Sequence, residues 1–223
     1  DTAKVITVLR SNSCCACIYL VLVCLNIKYT IAHMEHLSTS KWNLFRKYTV
    51  DRIRNATVTW DPYWHVVVED VLHPELFTYV RIVWPDQGWS PNTQGLNVNR
   101  KIHSCWSKYV ENIMAHTDIQ RAVYNLQGLE YTHDRKVMAG LYEDTVGYAV
   151  GNHVDAHIID IAWQLYITGA TGTNLNNSAG NLIKTVPFKP NSGWIMRNDS
   201  GSFHSCDTVQ VKSRRSIMLR YLS

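Results

Sequence analysis

Hydrophobic and polar positions alternate with different periods along the 223 residues, and each change of period predicts an element. An apolar run over residues 14–27, interrupted at Asn26 and preceded by Lys4 and Arg10, falls short of the roughly 18 to 20 residues a membrane-spanning helix requires. Met34 then opens a stretch of ordinary composition. Between Trp60 and Phe77, the aromatic and β-branched residues Tyr63, Trp64, Val66, Val67 and Val68 predict a strand, and His73-Pro74-Glu75 predicts the start of a helix. Residues 86–99 turn to Gln, Gly, Ser, Pro and Asn, which predicts a loop. Over residues 104–126, Trp106, Val110, Ile113, Met114, Ile119, Ala122 and Val123 recur at helical spacing and predict one or two amphipathic helices that buttress a sheet. Residues 136–143, 161–167 and 216–221 read as strands, and the Gly-, Asn- and Thr-rich residues 168–181 as a loop or hairpin.

Composition narrows this picture. Hydrophobic residues at 46% and charged residues at 18% describe a folded chain, and the length suits one domain with a sizeable core. With 22 basic and 18 acidic side chains the net charge is only +4, and no run of Lys and Arg interleaved with aromatics occurs, so nucleic acid is not indicated. Of the six cysteines, Cys14, Cys15, Cys17 and Cys24 crowd into the apolar run, and the spacing matches neither a disulfide framework nor a zinc ribbon. A reducing, cytoplasmic setting is the simpler reading. Residues 1–33 look unlike the rest, with the outline of a short targeting segment or anchor but no small-residue cleavage site after it. The expected functional domain is therefore residues 34–223, with residues 1–33 an extension outside it and membrane contact expected only if that extension is a genuine anchor.

Candidate chemistry lies in the last third. His153 and Asp155 stand two apart on an extended segment and so project to one side. His204 follows and would complete two imidazoles and one carboxylate, a set that covers one face of a metal and suits non-haem Fe(II). His157 is a rival ligand only if the segment stays extended. Arg214 lies ten residues beyond His204, with Ser216 two further on the same strand face, a pairing suited to a carboxylate. Arg215 must face the other way. Tyr148 and Tyr166 could each offer a hydroxyl nearby.

The order His153-x-Asp155, distal His204, then Arg214-x-Ser216 resembles the 2-oxoglutarate and Fe(II)-dependent dioxygenase family, in its prolyl-hydroxylase-like branch. The Pro62-Tyr63-Trp64-His65 strand and the Trp84-Pro85 pair after a helix agree with it. The resemblance implies a mainly β, α+β fold: a double-stranded β-helix, a jelly-roll or cupin-like barrel, with flanking N-terminal helices. It implies Fe(II) on His153, Asp155 and His204, and 2-oxoglutarate on Arg214 and Ser216 with Tyr148 and Tyr166 close by. It also implies an enzyme that couples oxidative decarboxylation of 2-oxoglutarate by O₂ to hydroxylation of an organic substrate, a small molecule or a peptidyl side chain. Asp155 argues against halogenation, which needs a small residue there. Two other classes compete. A non-catalytic cupin-like metal-binding module would have no need of Arg214 and Ser216, and a zinc hydrolase would need a general base that no His-Glu-x-x-His pattern supplies.

Overall fold

The computed structural model describes residues 37–91, 99–103, 113–132 and 136–222, so the extension expected over residues 1–33 and the boundary at 34 lie outside the described residues. Helix α1 (Thr39–Arg54) begins where the Ser38 hydroxyl accepts the Lys41 N–H, and it buries Trp42, Phe45, Thr49, Val50 and Ile53 at three- and four-residue steps. Helix α2 (Pro74–Ile82) starts at the predicted proline, with the His73 ring accepting the Glu75 N–H. Helix α3 (Thr117–Leu126) lies in the amphipathic stretch, of which residues 104–112 are outside the described residues.

Twelve strands are described: β1 (Val58–Thr59), β2 (His65–Val68), β3 (Ser90–Pro91), β4 (Arg100–His103), β5 (Lys136–Asp144), β6 (Val150–His153), β7 (Ile159–Thr168), β8 (Thr173–Asn176), β9 (Leu182–Val186), β10 (Gly193–Arg197), β11 (His204–Cys206) and β12 (Arg214–Leu222). They form an eight-stranded sheet in the order β1-β2-β10-β7-β12-β5-β4-β3 and a four-stranded sheet in the order β6-β11-β8-β9. Every pairing is antiparallel.

Alternation of side chains assigns the two faces of the large sheet. Ile161, Trp163, Leu165 and Ile167 of β7, Ile217, Leu219 and Tyr221 of β12, and Ile195 of β10 join the helices in the main hydrophobic core. Ala162 and Tyr166 of β7 and Trp194 and Met196 of β10 instead meet Leu175 and Val186 of the small sheet. The molecule therefore has two apolar layers, one between helices and large sheet and one between the sheets. Burying each large side chain of these layers contributes on the order of 1.5–3 kcal/mol. Asn191 holds the edge of this assembly: at φ +62° its side chain accepts from Leu72 N at 2.9 Å and donates to Leu72 O at 2.8 Å.

Residues 168–181, expected as a loop or hairpin, contain strand β8, which pairs antiparallel with β9. All four residues of β8 are buried, although three are polar. Their neighbours in the fold satisfy them: Asn174 Nδ2 donates to Asp207 at 2.8 Å, Asn176 Nδ2 to Asn152 and Ser205 at 2.9 and 2.8 Å, and Thr173 shares a 2.7 Å hydrogen bond with Tyr166. A polar run can lie inside a sheet when its partners are supplied.

Candidate metal centre

Strand β6 ends at His153 and β11 begins at His204, and the two residues are directly opposed in the small sheet. Their ring centroids lie 4.2 Å apart. Asp155 follows where the chain turns toward β7, and Asn198 ties that turn down by donating to the carbonyls of Asp155, Ala156 and Ile159 at 3.3, 3.1 and 2.9 Å. One ligand atom each from His153, Asp155 and His204 lie within 4.8 Å of one another, the one such group among the described residues.

Both imidazoles are oriented by their own backbone. His153 Nδ1 lies 2.9 Å from Gly151 O and His204 Nδ1 3.0 Å from Ser202 O. A carbonyl can only accept, so each Nδ1 carries the proton and each Nε2 keeps its lone pair, as a metal ligand requires. Burial lowers the pKa of His204, and the neighbouring His153 lowers it further, which holds that ring neutral. Trp194 meets His204 edge-on at 5.6 Å. Two neutral imidazole nitrogens and a carboxylate oxygen on one side of a gap fit a divalent metal of intermediate softness. His157 is exposed in the following turn and does not join the group.

A cavity between the sheets runs from this group to Arg214, with Arg100 and Tyr148 also in its wall. Arg214 points inward and is buried, while Arg215 faces outward and bonds Glu143 at 3.0 Å. Arg214 is not a bare cation. Its Nε and Nη2 donate to Asp144 Oδ2 at 3.0 and 2.8 Å, and its Nη1 donates to Gly172 O at 3.0 Å. Asp144, itself fully buried, also receives Arg100 Nε at 2.6 Å and Nη2 at 3.0 Å. One carboxylate thus carries two guanidiniums, and the cluster keeps an excess positive charge. The Tyr148 ring packs against both, with its centroid 4.4 Å from Arg100 Cζ and 5.7 Å from Arg214 Cζ.

Ser216 and Tyr166 are placed differently from Arg214. Neither is in the cavity wall. The Ser216 hydroxyl accepts from Gln164 Nε2 at 3.0 Å, and Gln164 Oε1 accepts from Trp194 Nε1 at 3.1 Å and Thr173 Oγ1 at 3.3 Å. Tyr166 is fully buried against Phe188, and burial raises its phenol to a pKa of about 12. Tyr148 does line the cavity, and burial raises its pKa as well. Asn152 turns away from the metal ligands toward Asn176 and Asn177. Arg100 and Asp144 escape a sequence reading because their meeting depends on the β4–β5–β12 order of the sheet, in which Asp144 stands opposite both Arg100 and Arg214.

No family model matches the chain, and no curated protein matches it in sequence. Solved structures do match its fold. A 2OG-Fe(II) oxygenase family oxidoreductase from Burkholderia pseudomallei is 10% identical, with 71% of this chain and 84% of that one covered at a TM-score of 0.55. A prolyl-4-hydroxylase from Pseudomonas putida is 11% identical, with 78% and 96% covered at 0.54. The epimerase SnoN, solved with Fe3+, alpha ketoglutarate and nogalamycin RO, is 12% identical, with 79% and 83% covered at 0.51. The fold of this chain is the double-stranded β-helix of these solved structures.

Proposed function

We propose that the protein is a non-haem Fe(II) dioxygenase that couples oxidative decarboxylation of 2-oxoglutarate to hydroxylation of an organic substrate, a small molecule or a peptidyl side chain. The observation that carries this reading is the convergence of His153, Asp155 and His204 within 4.8 Å at one end of a cavity whose wall also includes Arg214. His153 Nε2, His204 Nε2 and an Asp155 oxygen would hold Fe(II). When bound, the metal and 2-oxoglutarate supply the oxidising power and the protein supplies placement.

Arg214 would hold the far carboxylate of the co-substrate. Asp144 and Gly172 occupy three of its N–H donors, and a guanidinium has five, so two remain. Arg100 keeps the Arg214–Asp144 pair from being neutral, which favours a second carboxylate in the cavity. Tyr148 presents its ring beside both cations. Ser216 and Tyr166 act one step back, by fixing Gln164 and Thr173. The fold of SnoN holds Fe3+ and alpha ketoglutarate, in line with the same pair here. The competing reading, a metal-holding module without turnover, has no use for the Arg100–Asp144–Arg214 cluster.

Anaerobic titration with Fe(II) and 2-oxoglutarate tests the proposal. A weak visible charge-transfer band should appear when the keto acid chelates the metal. Asp155→Ala should weaken iron binding by at least about 100-fold, more than loss of an outer partner costs, and remove the band. Full band intensity in that variant would show the metal to be elsewhere.

A further inference from the structure

Arg220 is the third arginine in the cavity wall, and the co-substrate reading leaves it without a task. It shares the inward face of β12 with Arg214 but lies six residues along, about 20 Å at the rise of a strand. Arg214 lies at the end of β12 next to the pairing of Arg215 with Thr168, whereas Arg220 pairs with Ala162, near the start of β7 and the Asp155 turn. Arg220 is therefore at the metal end, and it is close enough for its charge to act on His204.

Its surroundings do not neutralise it. Arg220 Nη1 donates to the Tyr142 hydroxyl at 2.9 Å, and its guanidinium rests 5.7 Å from that ring. Tyr142 leans over Gly140, where an added Cβ would meet the ring at 3.0 Å, so the glycine makes room for the contact. Among the described residues no carboxylate pairs with Arg220, although Arg100, Arg214 and Arg215 all have one. A half-buried guanidinium held by one phenol retains donors and charge facing the cavity.

A charge count gives the consequence. Arg100 and Arg214 share Asp144 and would take the far carboxylate of 2-oxoglutarate, and Fe(II) would be balanced by Asp155 and the near carboxylate. Arg220 alone is left over. Resting on the co-substrate reading, we infer that Arg220 is a specificity-determining residue that holds an anionic group, a carboxylate, on the substrate next to the carbon to be oxidised. Met218, two residues before Arg220 on β12, also lines the cavity, so the part of the substrate beside that carboxylate is apolar.

The test uses matched acid and amide probes on the protein saturated anaerobically with Fe(II) and 2-oxoglutarate: 3-phenylpropionate against 3-phenylpropanamide, and N-acetylglycine against N-acetylglycinamide. Binding is read by thermal shift and by perturbation of the charge-transfer band, neither of which needs turnover. The acids should bind about tenfold or more tightly than the amides. Arg220→Gln should erase that preference while its 2-oxoglutarate affinity stays unchanged, and Arg220→Lys should keep part of it. Equal binding of acid and amide, no stabilisation by either acid, or a preference that survives in Arg220→Gln would overturn the inference. Absence of the band in the unaltered protein, with the acid preference intact, would instead sink the co-substrate reading and leave Arg220 as an anion site.

Discussion

His65 is fully buried, with Nδ1 2.9 Å from Tyr63 O and Nε2 3.3 Å from Lys184 Nζ. The carbonyl accepts from Nδ1, which leaves Nε2 to accept from the ammonium, so the ring is neutral in the folded state. Burial is the main cause that lowers its pKa below the ordinary 6.5, and the charge of Lys184 adds to it. As pH falls below 6.5, the unfolded chain takes up a proton that the folded chain resists. Stability contributed by the neutral ring is thus complete above that pH and is lost between it and the lower folded-state value. Thermal unfolding of the unaltered protein should show a fall in Tm over this acid window, and His65→Gln should show a shallower one. An equally steep fall in the variant would mean that another group titrates. At this scale the strand expected over Tyr63 to Val68 places His65 inside the barrel, where it is buried. Nothing in the sequence could show that Lys184 stands over it, because that contact joins residues far apart in the chain.

At the scale of elements, Gly172 decides where the small sheet meets the large one. A Cβ there would collide with Val186 O and lie 3.1 Å from Phe188 N, both backbone atoms that cannot turn aside. The absence of a side chain lets the start of β8 close on the end of β9, and it brings Gly172 O within reach of Arg214 Nη1. Gly172→Ala should cost about 1–3 kcal/mol by overpacking. Denaturant unfolding measures that loss, and weaker 2-oxoglutarate binding should accompany it because Arg214 loses its support. A variant as stable as the unaltered protein would show that the hairpin shifts without penalty. A loop or hairpin was legible over residues 168–181, but not the burial of β8, since a polar side chain looks the same whether water or another side chain satisfies it. Helices α2 and α3 were easier to read, because Pro74 and the apolar positions of α3 carry local signals, whereas no local signal was read for α1.

At the scale of the whole molecule, Asp144 joins the end of β5 to β4 and β12 through two buried guanidiniums. Removing the carboxylate leaves both cations uncompensated away from water, an effect of about 3–5 kcal/mol. Asp144→Asn, which keeps the shape and removes the charge, should lower stability by that order in denaturant titration. Arg100→Met should cost less, since Arg214 would still be paired. If Asp144→Asn were neutral, the cluster would be solvated and not the closed pair of ion pairs described above. Among the described residues no helix is long and apolar enough to cross a membrane.

The residues themselves determined the strand faces, the helix starts and the types of ligand available, because alternation, caps and donor chemistry are local properties. His153 and Asp155 could be read together for the same reason, being two residues apart. Only the tertiary structure decided what lies opposite each side chain. It set His204 against His153, gave Arg214 to Asp144 and Gly172, turned Ser216 toward Gln164 and Tyr166 toward Thr173, and left Arg220 facing the cavity without an acidic partner. Each of these depends on strand order and register, which bring together groups separated by as many as 78 residues, and no local pattern encodes such a pairing.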